Sequence, residues 1–243
     1  MTTIPDDDPV ATAVVGAVRT GDVAALRRLL ADQPGLATAR IEETGSPGTS
    51  RTLLHVVTDW PGHFPDGAAT VALLVAAGAD VNARFAGRHE ETPLHWAASC
   101  DDVAVLDALL DAGADIEAPG AVIAGGPPLA DATAFAQWNA AFRLVERGAT
   151  TTLFTAATLG LLDRVRAHVD ADPSAAELNG ALWGACHGGR LSTVELLAER
   201  GADLDWLPPW EPLTPLDAAD RQGAADVVAW LRNRGARSAG ERG

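Results

Sequence analysis

The sequence predicts an all-α solenoid, a series of helix pairs stacked on one another and joined by short hairpin or loop connectors. Three observations predict it. Glycines recur at fixed spacing: Gly78, Gly113 and Gly148 lie 35 residues apart, and Gly201 and Gly235 lie 34 apart. An apolar helical pattern runs up to each of them, as in VALLVAAG, VLDALLDAG and VELLAERG. A leucine stands 19 residues before four of the five, at Leu94, Leu129, Leu182 and Leu216. One structural unit is being reused, and a unit that cannot bury its own apolar face buries it on its neighbours.

Each element of the unit has a local cause. Thr92-Pro93 and Thr214-Pro215 suit a helix start, the threonine capping free amides and the proline filling the first turn. The glycine after the second helix suits a left-handed cap. Between them the unit reads helix, tight turn, helix, glycine stop, extended connector. Trp138 and Trp230 occupy second-helix positions where leucine is usual, so both are expected in the core.

Bulk properties narrow the function classes. The chain has 243 residues, 47% of them apolar, which is enough for a sizeable core. The formal net charge is −15 and every cation is an arginine, a balance that repels phosphate backbones and argues against nucleic-acid binding. No apolar run reaches the roughly 18 residues of a membrane span. The opening MTTIPDDDPV is unlike a secretory signal, so a cytoplasmic monomer is expected. Cys100 and Cys186 make neither a disulfide framework nor a metal motif, and no cofactor motif is present. The expected organisation is an acidic tail over 1–10, one repeat domain over 11–236 and a short tail over 237–243.

Thr92-Pro93-Leu94-His95-Trp96-Ala97-Ala98 followed by Gly113-Ala114-Asp115 resembles the ankyrin repeat signature. Leu53-Leu54-His55 with Gly78-Ala79-Asp80 and Thr214-Pro215-Leu216 with Gly235-Ala236 are similar to it as well. Residues 127–149 and 178–205 are looser copies, and 12–34 and 151–173 are degenerate ones, about seven repeats in all. The resemblance implies a curved stack whose helix pairs form a palm and whose connectors form fingers. It also implies partners bound along the concave side and no general catalytic activity. In the signature the histidine bonds the adjacent connector, a role it assigns to His55 and His95. Trp183 and Phe154 stand in its place and are expected to substitute by packing.

The departures from the repeat carry the candidate site. Leu54 to Gly78 spans 24 residues against 19 elsewhere, and the surplus falls in a loop over 58–67 bearing Asp59, Trp60, His63 and Phe64. Long loops in compact repeats tend to carry function, though a Trp-Phe plug over a core edge is the structural reading. Phe85, Arg88 and His89 fall in one connector, Trp206 and Trp210 in another. Aromatic and arginine side chains of this kind dominate interface energetics, and the two tryptophans also suit self-association. Repeat register places Trp96, Ser99, Cys100, Asp101, Asp131 and His187 on the concave side. Together with Asp59 and Trp60 they suggest an aromatic floor edged by acids, suited to a cation, an arginine-bearing peptide or a small amphipathic ligand.

Two functional readings follow. The first is a module that binds a protein or peptide through the concave face and fingers. The second is a small-molecule binder or enzyme with a Trp/Asp-lined pocket around the 58–67 loop. For the second, His63, His89 and Glu91 are acid–base candidates beside Asp59, Asp101 and Asp131. His63 and His89 are expected at opposite ends of a helix roughly 15 Å long, so they serve one substrate only if a connector folds inward. Cys100 lacks a basic partner on its helix.

Overall fold

A computed structural model describes residues 2–242. Among these residues fourteen α-helices form seven consecutive pairs, and the chain divides into two compact units, Met1–Ala149 and Thr150–Gly243.

The first unit holds four pairs: α1 (Pro9–Thr20) with α2 (Val23–Asp32), α3 (Leu53–Val57) with α4 (Gly67–Ala76), α5 (Pro93–Ser99) with α6 (Val103–Asp111), and α7 (Pro128–Ala134) with α8 (Trp138–Glu146). First helices pack on first helices, α1 on α3 on α5 on α7, and second helices on second helices. The signature leucines are the reason. Leu54 and Leu94 are 0% exposed and Leu129 is 1% exposed, each wedged between neighbouring pairs. Thr52 and Thr92 cap α3 and α5, with His55 and His95 completing the reciprocal box. Gly78, Gly113 and Gly148 follow their second helices at φ of 96°, 91° and 102°, conformations an L side chain resists.

The connector before α3 is a β-hairpin. Strand β2 (Arg40–Glu42) pairs antiparallel with β3 (Ser50–Thr52), and Ser50 bridges on to Ala86 in the next connector. The segment expected to be an acidic tail begins with strand β1 (Thr3–Pro5), which pairs in parallel with β2. The residues around the 58–67 insertion differ from the other pairs too. Nine residues, 58–66, separate α3 from α4, whereas three, 100–102, separate α5 from α6. The insertion shortens α3 to five residues.

The second unit holds three pairs: α9 (Leu153–Leu159) with α10 (Leu162–Val169), α11 (Ala175–His187) with α12 (Leu191–Glu199), and α13 (Pro215–Arg221) with α14 (Ala225–Asn233). Leu182, Ala185, Cys186, Val194 and Leu197 lie at the centre of its core. Both degenerate repeats thus form complete helix pairs. At the C-terminus Arg237 bonds Asp205, and Arg232 pairs with Glu241 in a short 3-10 turn, so these residues are tied down. Trp138 and Trp230 are only half-buried, contrary to the expectation of core positions. Trp230 lies at the core margin with the Arg234 guanidinium 4.4 Å over its ring, where an indole keeps one face for a cation.

Candidate functional site

The two signature histidines are structural. His55 is 0% exposed; its Nδ1 accepts the Thr52 amide at 3.3 Å and its Nε2 donates to the Glu91 carbonyl at 3.1 Å. His95 repeats the pattern with Thr92 and the Gly126 carbonyl, at 3.1 and 3.3 Å. Each ring therefore ties its own helix start to the next connector. Trp183, in the middle of α11, makes the connector half of that tie, donating Nε1–H to the Leu213 carbonyl at 3.0 Å, so it replaces the histidine by a hydrogen bond and not by packing alone. Phe154 does not replace it: Thr152 and Thr155 form the capping box of α9, which puts Thr155 in that register.

The inserted loop lies against the following pair. The His63 amide donates to Asp102 at 2.9 Å, His63 Nε2 donates to the Cys100 carbonyl at 2.9 Å, and Gly62 sits where a Cβ would be 2.7 Å from that of Cys100. A shallow open depression of about 470 Å³ runs beside it, lined by His63, Phe64 and Asp102 among others, but not by Trp60, Trp96 or Asp59. Trp60 is 81% exposed.

Most of the expected acid-edged floor is occupied internally. Asp59 accepts from Arg19 and Arg51, both at 2.9 Å. Asp101 accepts the Ala140 amide and the Asn139 amide group, both at 2.7 Å, so it braces the start of α8. Ser99 donates to the His95 carbonyl, and Cys100 Sγ lies 3.6 Å from the Thr58 carbonyl. Burial and the carboxylates Asp102 and Asp59 push the Cys100 thiol up to about 11, away from a reactive thiolate.

The connector over 84–91 folds inward and builds a different cluster. The Phe85 amide donates to the Glu91 carbonyl at 2.7 Å. The Phe85 ring stacks on His89 with centroids 4.4 Å apart and lies 5.5 Å from Trp96, while Arg88 beside it is exposed. Glu91, 5% exposed, accepts from Trp96 Nε1 at 2.8 Å and from the Val122 amide at 3.1 Å, with His89 Nδ1 2.9 Å away. Against it lies Asp131, which register had placed at the acid edge of an open surface. Asp131 is instead 0% exposed, and apart from the Ile123 backbone amide beside it neither of its oxygens has a donor. Two carboxyls in one desolvated site do not both ionise. Glu91 is the one that holds the two donors, Trp96 and Val122. Burial, then Glu91, raises Asp131 to about 8.

This arrangement sets a pH profile. Between 3.8 and about 8 the folded chain holds a proton on Asp131 that the unfolded chain releases, so this group's contribution falls as pH rises through that window. The histidines act in the opposite sense. Burial takes His55 down to about 3 from 6.5 and lowers His95 as well, so the unfolded chain binds more protons below 6.5 and stability drops as pH falls. Two histidines outweigh one carboxyl below that point; above it the carboxyl slope continues. The urea midpoint is therefore expected to peak near pH 6.5 and then decline toward pH 8, by up to about 1.4 kcal/mol per pH unit. Asp131→Asn is expected to flatten that decline. A wild-type midpoint that stays level or rises from pH 6.5 to 8 contradicts a neutral Asp131.

The second unit carries a continuous cluster of aromatic rings that ends in the exposed Trp210. Phe154 of α9 and Trp183 of α11 stack with centroids 6.4 Å apart. Trp210, from the connector before α13, stands at right angles to both, at 6.2 and 5.9 Å, and Trp206 lies 5.6 Å from Trp210. Gly180 of α11 lies under these rings, where a Cβ would stand in ordinary contact with Trp206 and Trp210 at 3.9 and 4.0 Å. His187 stacks on Trp183 at 5.5 Å and is 4% exposed, with Gln222 3.1 Å from its Nδ1, so it supports this wall from within. Arg221 lies 5.7 Å over Trp183 and is held by Glu211 at 2.8 Å. Trp206 is half-buried, while Trp210 remains 55% exposed. Of these residues the candidate set contained Trp206, Trp210 and His187. It missed Phe154, Trp183 and Arg221, whose signal was an aromatic or cation on the first helix of three successive pairs.

Among the described residues no helix is long and apolar enough to cross a membrane. The ankyrin repeat family model matches residues 89–121, the stretch that holds His89, Glu91 and Trp96. The ankyrin repeat and KH domain-containing protein mask-1 of Caenorhabditis elegans is 43% identical over 53 residues. That match covers 22% of this chain and 2% of that relative, so the chain spans a small part of the relative's length. The crystal structure of the human ASB11 ankyrin repeat domain is similar in fold, with a TM-score of 0.55 at 21% identity, covering 91% of this chain and 96% of that one.

Proposed function

Given that this chain is an ankyrin-repeat protein, we propose that it is a protein-binding module, and that one contact surface is the aromatic wall of Phe154, Trp206 and Trp210, backed from within by Trp183, which is 4% exposed. Ankyrin repeats in general serve as protein-interaction modules. The observation that carries the reading here is Trp210, a tryptophan left 55% exposed yet fixed by rings on three sides. A large apolar side chain already held in place loses little entropy when a partner covers it, which is what makes tryptophan an effective interface anchor. The preferred partner is a protein segment presenting a basic or apolar side chain. Indole faces attract cations, and the chain's charge of −15 draws basic segments toward it.

Capture from a lysate of the source organism tests this when wild type, Trp210→Ala and Trp60→Ala are run side by side. A partner held by wild type and by Trp60→Ala, but weakened by about tenfold or more in Trp210→Ala, is the expected result. Equal recovery by wild type and Trp210→Ala overturns the assignment of the surface. Loss with Trp60→Ala alone moves the contact to the inserted loop.

A further inference from the structure

We propose that Glu91 and Asp131 form a proton-operated latch, in which one proton shared between the two carboxyls holds the 119–127 connector at Val122 against α5, and whose loss releases that connector. The geometry converges on Glu91. It begins the segment leading into α5, bonds Trp96 of α5, bonds the Val122 amide of the next connector, and faces Asp131 of α7. One carboxylate thus ties three elements together.

Asp131 supplies the condition for that tie. It is 0% exposed, and apart from the Ile123 backbone amide beside it neither oxygen has a donor, an arrangement that favours the neutral group, which can itself donate. A protonated Asp131 donates to Glu91 and satisfies both. An ionised Asp131 places two negative charges together in a site with little water, and the cheapest relief is for Glu91 to leave. Leaving breaks its bonds to Trp96 and Val122.

The surrounding charges do not substitute for the proton. His89 lies 2.9 Å from Glu91 on the same connector and is a cation only when protonated. His95 of α5 feels Glu91, but burial favours its neutral form. Arg84 is committed to the carbonyls of Glu90 and Pro119, at 3.0 and 2.6 Å. Arg40 is held by the Ser50 and Arg84 carbonyls, and Arg51 by Asp59. The connector that would be released carries Val122 and Ile123, 54% and 41% exposed at its tip. Its other ties are the His95 ring on the Gly126 carbonyl at 3.3 Å, Arg84 on the Pro119 carbonyl, and a close backbone approach, where a Cβ on Gly120 would stand 2.6 Å from the Glu90 carbonyl oxygen, so the release is local to Val122.

The test is a proton–nitrogen NMR titration of the full chain from about pH 5 to 9. The Trp96 indole signal, assigned by its loss in Trp96→Phe, reports the Glu91 acceptor; the Val122 amide reports the connector. Both are expected to move together with a midpoint above pH 7. Val122 is expected to lose exchange protection by about tenfold per pH unit beyond that midpoint, after intrinsic base catalysis is divided out. In Asp131→Asn the side-chain amide donates at every pH, so both signals should stay still. In His89→Gln the transition should persist. Signals that do not move in wild type overturn the latch. So does a transition that vanishes in His89→Gln, because the titrating group is then His89; this comparison decides the matter even if Asp131→Asn does not fold.

Discussion

His95→Ala is expected to destabilise the first unit by about 4 kcal/mol, several times more than a typical surface change. The imidazole is 0% exposed and bridges two elements. On one side Nδ1 receives the Thr92 amide at 3.1 Å and lies 2.9 Å from its hydroxyl; on the other Nε2–H donates to the Gly126 carbonyl at 3.3 Å. Truncation leaves an amide and a carbonyl without partners inside the protein, each costing on the order of 1–3 kcal/mol, and adds a ring-sized cavity. The urea midpoint at pH 7 reads the effect. His168→Ala is the comparison: that ring is half-buried, with one bond to the Thr151 carbonyl at 3.0 Å, and about 1 kcal/mol is expected. His95→Asn should recover part of the loss by bonding one of the two partners. Equal, small losses in His95→Ala and His168→Ala would show that the connector is held by something other than the ring.

Gly188→Ala is expected to be the most damaging small substitution in the second unit, at about 3 kcal/mol or more. The reason is not backbone conformation, since Gly188 has an ordinary φ of −80° that any residue adopts. The reason is proximity. A Cβ at this position would lie 1.9 Å from the carbonyl oxygen of Thr158 and 2.9 Å from its carbon, and both are backbone atoms that cannot swing aside. Relief requires α11 to move off α9, opening the packing of Leu182 and Ala156, each 0% exposed. The same carbonyl accepts from Arg190 Nε at 3.3 Å, so that bond is strained as well. Gly201→Ala isolates the conformational effect. Its φ is 93° but nothing lies within 4 Å of the new Cβ, and about 1 kcal/mol is expected. If the two variants unfold at the same urea concentration, close helix approach is not what Gly188 provides.

Much of the fold was legible because its causes are local. A threonine reaches an amide three residues on, a glycine takes the left-handed turn behind a helix, and apolar residues recur with the helical period. Leu94, Leu129, Leu182 and Leu216 at constant distance from their glycines marked four repeats, and looser helix patterns without that spacing marked the others, the two degenerate ones included. The candidate site was legible only in part. His89, Phe85 and Trp96 were named, and they do come together, but as the cover of a buried pair and not as an open floor. Asp59 and Asp101 were named as ligand groups, yet arginines and a helix start already use them. The placement of Asp131 depended on a connector, residues 84–91, folding over it, and no local pattern encodes which way a connector folds.

What the amino-acid order alone determined, then, is the repeating helix pair, its caps and its stacking, since each depends on residues within a few positions of one another. What only the tertiary structure decided is how the irregular parts meet. It decided that Thr3–Pro5 joins the hairpin as a strand, that Glu91 and Asp131, 40 residues apart, share one dry site, and that Trp210 stands on Phe154 and Trp183. These contacts bring together distant segments whose geometry is set by the packed stack beneath them. Their energies, whether desolvation of a carboxyl or burial of a ring, arise only once that stack has formed.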